Sequence, residues 1–246
     1  MNGVEAIERI SRECFRSFSR FPNARLLDDG RVFGVLTDVP INFFSGVAIS
    51  DLSEADVGPV LDTLRGRPFR WWISPSTRPA NLAAILAGHG LRHTYDAAGM
   101  VVDLEAVDFD APLPRGLTIR RATSLDDWTR VFMEGFERAA REVNVWPAAY
   151  AQCDNVWVHF VGSLDGAPVA TTSLLLCGDL AGVYHVATLP AARGRGVGRA
   201  ITVAALEHAK KMGATHAALQ ASEMGFGVYQ AIGFVEVCQL TLYDGR

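Results

Sequence analysis

Apolar residues recur at helical spacing near the start of the chain, at Val4, Ile7, Ile10, Cys14, Phe15 and Phe18, with charged residues between them. This predicts an amphipathic helix. Two strand-like runs follow at 31–37 and 42–49, split by Asp38-Val39-Pro40. A helix is expected over 52–64 with Ser53 as its N-cap, a strand over 69–74, a helix over 78–87 ending at Gly88 and Gly90, and a strand over 100–107. Residues 108–116 break the pattern, with Pro112, Pro114 and Gly116 among acidic residues. They read as an interdomain linker, with 111–116 separating 1–110 from 117–246.

The second half opens with a strand at 117–121 and an amphipathic helix from about 125 to 141, capped by Ser124. Residues 144–152 read as a surface loop with one helical turn. Strands at 156–163 and 168–176 flank Asp165-Gly166, a strong hairpin dipeptide. Then come a strand (182–189), a helix (196–212) ended by Gly213, a strand (214–221), a short helix (223–231) and a last strand (234–243). The order β-α-(α)-β-β-β-α-β-α-β gives a mixed α/β sheet domain. Segments 69–91 and 215–234 both read strand, turn, helix, Gly-aromatic or Gly-Leu, so the two halves are expected to be copies of one fold.

Composition narrows the classes. The 246 residues are 49% hydrophobic and 20% charged, enough for one large core or two small ones. A net charge of −4 disfavours general nucleic-acid binding. Cys14, Cys153, Cys177 and Cys238 lack metal or redox spacing, and Cys177 and Cys238 are expected to be buried free thiols. His159, His208 and His216 show no ligand spacing, so no metal is expected. Trp71-Trp72 reads as sheet core. With no leader and no long apolar run, a cytoplasmic location and no membrane partner are expected.

The segment with most chemistry is Leu189-Pro190-Ala191-Ala192-Arg193-Gly194-Arg195-Gly196-Val197-Gly198-Arg199, between an apolar strand and a helix. Its glycines permit turns closed to other residues and let an anion approach the backbone. The helix adds free N–H groups and the positive end of its dipole. Arg193, Arg195 and Arg199 add charge at the rim. The spacing fits neither a P-loop nor a dinucleotide fingerprint.

Arg193-x-x-Gly196-x-Gly198 matches the Q/R-x-x-G-x-G/A motif of the GNAT superfamily of N-acetyltransferases, which this segment resembles. Residues Ser222 to Phe234 look like that family's later motif, N-x-x-A-x-x-L-Y followed by G-F. Ser222 stands in place of Asn, Gly225 in place of Ala, and Tyr229 at the tyrosine. The resemblance is clear over 117–243; the first half resembles a degenerate copy without the loop. It implies a tandem GNAT-like acyl-CoA N-acyltransferase fold with the second copy intact. It also implies acetyl-CoA as cosubstrate, bound by Val186, Ala187, Thr188, Arg193, Gly194, Arg195, Gly196, Val197, Gly198, Arg199, Ser222, Gly225 and Tyr229.

By the same resemblance, backbone of Val186 and Thr188 would pair with pantetheine, an N–H near Val186 or Ala187 would polarise the thioester, and Tyr229 would protonate the leaving thiolate. The family often has an acidic residue on the strand before the loop; here that strand has none. His185, Glu223, Glu134 and Glu142 are candidate bases and none is assigned. The expected activity is acetyl transfer from acetyl-CoA to a primary amine of a small molecule or peptide, by direct attack in a ternary complex. Asn144, Trp146 and Tyr150 are candidates for the acceptor wall. A catalytically silent acyl-CoA sensor is the alternative, and a longer acyl donor or aminoacyl-tRNA a third reading. The oligomeric state is open between an internally duplicated monomer and a homodimer.

Overall fold

The structure, a computed structural model, describes residues 2–153 and 156–246. In chain order the elements are α1 (Gly3–Phe18), β1 (Arg25–Asp28), β2 (Val32–Leu36), β3 (Gly46–Ser50), α2 (Glu54–Leu64), β4 (Phe69–Ile73), α3 (Leu82–Gly88) and β5 (Arg92–Asp103). There follow β6 (Leu117–Arg121), α4 (Asp126–Gly135), α5 (Val145–Tyr150), β7 (Trp157–Leu164), β8 (Ala167–Cys177), β9 (Leu180–Thr188), α6 (Val197–Lys211), β10 (His216–Ala221), α7 (Glu223–Gln230) and β11 (Val235–Gly245). The second-half order is the one the hydrophobic pattern predicts.

The residues form two units, Met1–Gly99 with Gln220–Glu223 and Glu236–Arg246, and Met100–Leu219 with Met224–Val235. The expected boundary at 111–116 lies inside the second of these. The chain crosses between units within β5 and returns for the last strand. Local composition cannot announce such an exchange.

In the first unit, β1, β2 and β3 pair antiparallel, β3 and β4 parallel, and β4 and β11 antiparallel. The apolar stripe of α1, including Ile7, Ile10, Phe15 and Phe18, is buried, and the Asn2 side chain accepts the Val4 N–H at its start. Trp71 and Trp72 are buried, as expected for sheet core. Arg70 donates to both Asp244 oxygens at 2.7 and 2.9 Å, and Asn42 donates to the same carboxylate at 2.6 Å. The charges are largely desolvated, so each depends on its partner, and they fasten β11 to β4.

In the second unit, β6, β7, β8 and β9 form an antiparallel run, and β9 pairs parallel with β10. Asp165 and Gly166 both have positive φ, 50° and 86°, the geometry of a tight primed hairpin turn. Successive residues of β7 point to opposite faces. His159 meets Trp128 of α4, and Phe160 meets His208 of α6. The two helices therefore cover opposite faces of the sheet.

Several expectations are corrected. The helix expected to reach 141 stops at Gly135. Glu137 takes φ 50°, Arg138 N–H returns to the Met133 carbonyl (2.8 Å) and Glu137 N–H to that of Glu134 (3.2 Å). This is a Schellman stop, with glutamate in the position usually held by glycine, so the sequence carried no stop signal. The strand expected over 42–49 begins only at Gly46. Asn42–Phe44 is a short 3-10 turn whose Phe43 and Phe44 rings pack on Phe18. Strand β1, Arg-Leu-Leu-Asp, is too short to show apolar alternation, and the exposed start of β5 is polar. Cys177 and Cys238 are half-buried; Cys14 and Cys153 are the fully buried thiols.

Candidate functional site

The β8–β9 register pairs Thr171 with Ala187 and Ser173 with Tyr184. His185 and Val186 therefore share the single opposing residue Thr172. This is a β-bulge with its extra residue on β9. His185 absorbs it at φ 52°, a left-handed position that residues with a Cβ seldom occupy. Thr171 and Thr172, both buried, donate hydroxyl hydrogen bonds to the carbonyls of His185 (3.0 Å) and Tyr184 (3.4 Å). The parallel register with β10 spans Leu180 to Gly182. Val186, Ala187 and Thr188 lie on the continuation of β9 beyond it.

The His185 imidazole lies under α4 and α5, ringed by Phe132, Trp146, Trp128 and Tyr150 at centroid distances of 5.0, 5.5, 5.6 and 5.7 Å. The Tyr150 hydroxyl is 3.3 Å from each ring nitrogen. Burial, with smaller repulsion from His159 and Arg138, holds the His185 pKa well below that of a free histidine. Burial, with repulsion from Arg121, lowers His159 to about 4; its Nδ1 lies 2.8 Å from the Ser173 hydroxyl. Both rings are neutral at pH 7.

After β9 the chain makes a 3-10 turn, Pro190–Ala192, and the Leu189 N–H bonds to the Val169 carbonyl. Gly194 and Gly196 then take φ 71° and 75°, and Gly196 caps α6 in the left-handed region. Only glycine enters that region without cost. The first intrahelical acceptor is the Gly196 carbonyl, bonded by Ala200 N–H at 3.0 Å. Helical geometry leaves the N–H groups of Val197, Gly198 and Arg199 without partners inside the helix. No acidic residue stands in the first turn of α6 and no side chain caps it. Gly194, Arg195 and Gly196 are exposed, and Gly198 and Arg199 half-buried. Arg193 has its Nε committed to the Thr188 carbonyl at 2.9 Å, so this arginine braces the loop against β9.

Tyr229 is buried on α7, its ring 5.9 Å from that of Phe234. Burial raises the phenol pKa above its ordinary value, so the hydroxyl keeps its proton throughout the physiological range. Gly225 precedes it on α7. Ser222 and Glu223 are exposed and belong to the Gln220–Glu223 segment of the first unit.

The candidate acceptor wall needs correction. Trp146 and Tyr150 turn inward onto His185 and are buried, whereas Asn144 lines an open groove of about 560 Å³ with Asp126, Arg130, Met133, Glu134 and Arg138. Glu142 accepts hydrogen bonds from Arg138 (2.6 Å) and Trp146 (3.2 Å), which makes it a brace. Nothing local marks the left-handed His185, because the residue lies in an apolar strand pattern. Among the described residues, no group of three His, Cys, Asp or Glu could hold a metal, and no helix is long and apolar enough to cross a membrane.

The site combines a mixed sheet, a bulged strand and a glycine-lined helix start. Residues 124–234 match the model of the acetyltransferase (GNAT) family. Solved structures with this fold include a GCN5-related N-acetyltransferase from Kribbella flavida (20% identity, 96% of this chain, 94% of that one, TM-score 0.73). A tandem GNAT protein from the clavulanic acid biosynthesis pathway is also similar (17% identity, 97% and 87%, TM-score 0.60), as is a GCN5-related N-acetyltransferase from Sphaerobacter thermophilus (16%, 98% and 91%, TM-score 0.61). No curated protein matches the chain.

Proposed function

We propose that the protein transfers the acetyl group of acetyl-CoA to a primary amine by direct attack in a ternary complex. The observation that carries this reading is the left-handed pair Gly194 and Gly196 opening onto a helix start with free N–H groups and no carboxylate of its own. That arrangement suits the pyrophosphate of coenzyme A. Arg195 and Arg199 supply positive charge beside it.

In the reaction, a neutral amine attacks the thioester carbonyl. An N–H of Val186 or Ala187 on the bulged strand would stabilise the oxyanion. The carbon–sulfur bond breaks, and Tyr229 donates its proton to the thiolate. Burial keeps the phenol protonated until sulfur leaves, and the phenolate it forms is reprotonated at once from solvent, which takes up the proton the nitrogen loses. The nitrogen loses its proton to water. Glu142 is engaged elsewhere, and His185 is too desolvated to hold a proton well.

Calorimetry with acetyl-CoA tests the reading, with Gly196→Trp and the double variant Arg195→Ala/Arg199→Ala as controls. Binding to the wild type that both variants weaken supports the cradle. No binding to folded wild-type protein would end the reading.

A further inference from the structure

We propose that His185 is a positioning residue: its left-handed backbone and its ring, held by the aromatic residues of α4 and α5, together set the bulge that aims the N–H of Val186 or Ala187 at the thioester carbonyl. Three observations converge on it. The extra residue of the bulge sits at His185 and Val186, opposite Thr172 alone. His185 takes φ 52°, a left-handed position unfavourable to a residue with a Cβ, which persists only where surroundings enforce it. The surroundings are visible: Phe132, Trp146 and Tyr150 enclose the ring, while Thr171 and Thr172 hold the carbonyls on either side of the bulge.

Bulges commonly place glycine at such a position. Glycine would satisfy the dihedral but would leave nothing for the helices to grip. The imidazole is a side chain that tolerates the left-handed region comparatively well and offers a flat ring for edge contacts. Among the described residues, His159 of β7 and Arg138 beyond α4 face it, and Tyr150 of α5 meets its nitrogens. Burial, with repulsion from His159 and Arg138, disfavours a positive charge on the ring. The ring therefore acts as a neutral wedge.

Because this role rests on the acetyl-transfer reading, the probe is one that needs no acceptor. Acetyl-CoA carrying heavy carbon at its carbonyl is bound to the protein, and the carbonyl stretch is read by isotope-edited infrared spectroscopy. Basal hydrolysis to coenzyme A is followed in parallel. Wild type is expected to lower the band. His185→Val, whose β-branched side chain resists φ above zero, should return the band toward its value in water and slow hydrolysis on the order of a hundredfold. Its calorimetric Kd for coenzyme A should stay within about threefold, since the loop is untouched. His185→Asn, which tolerates the left-handed region, should recover part of the band shift, and Tyr150→Phe should lose a smaller part of it.

A wild-type band unmoved on binding would overturn the role, as would variants that all keep the wild-type band. If His185→Asn kept the band but removed a pH-dependent limb of hydrolysis, His185 would be a base and the positioning role would fall. If wild type failed to bind acetyl-CoA, the acetyl-transfer reading itself would fall, and this role with it.

Discussion

A Cβ built on Gly135, the last residue of α4, would stand 2.8 Å from the Cβ of Ala187 on β9. The helix end is thus pressed onto the strand one residue past the bulge. Gly135→Ala should push α4 away and destabilise the protein by about 1–3 kcal/mol. Urea denaturation would measure this, and the loss should be recovered in part by Ala187→Gly on the same background. An additive double variant would mean that the two sites do not meet.

Tyr229→Phe removes the proposed proton donor and leaves the ring in place. Release of coenzyme A with an active amine acceptor should slow by about 100-fold or more, within the span usual for a lost general acid. Binding of acetyl-CoA should be unchanged by calorimetry. Turnover equal to wild type would exclude Tyr229 from the chemistry.

The two units differ at their helix starts. In the first unit, Glu54 and Asp56 occupy the first turn of α2, and Ser53 donates to Asp56 at 2.7 Å. Carboxylates already hold the positive end of that dipole and would repel a pyrophosphate. The first turn of α6 has none. Calorimetry should therefore give one acetyl-CoA per chain, and Glu54→Gln/Asp56→Asn should leave that site's Kd unchanged. A stoichiometry of two would show a second cradle in the first unit.

Stability should fall as pH falls from about 6.5 to about 4. The folded His159 has its pKa lowered to about 4, against 6.5 for the free side chain. Below 6.5 the unfolded chain takes up a proton that the folded chain refuses. The associated stability is full above 6.5 and is lost progressively toward the folded pKa, up to roughly 3 kcal/mol for this one group. His185 shifts in the same direction and deepens the loss. Denaturation midpoints at pH 7.5, 6 and 5 would show the slope, and His159→Gln should flatten it. A slope unchanged in that variant would place its origin in other groups.

The chain's local patterns determined much of this protein. Apolar spacing marked α1, α6 and the second-half strands, and Asp165-Gly166 fixed a hairpin whose dihedrals only such residues adopt readily. The run Arg193 to Arg199 announced a glycine turn opening a helix, because glycine spacing and a helix start are local properties. Tertiary structure decided the rest. The end of α4 depends on a glutamate in a glycine position. The return of β11 beside β4 depends on Arg70 and Asp244, far apart in the chain. The bulge at His185 exists only because β8 supplies one residue where β9 supplies two, and because rings from two helices close over it. Register and enclosure are relations between segments, and no single segment encodes them.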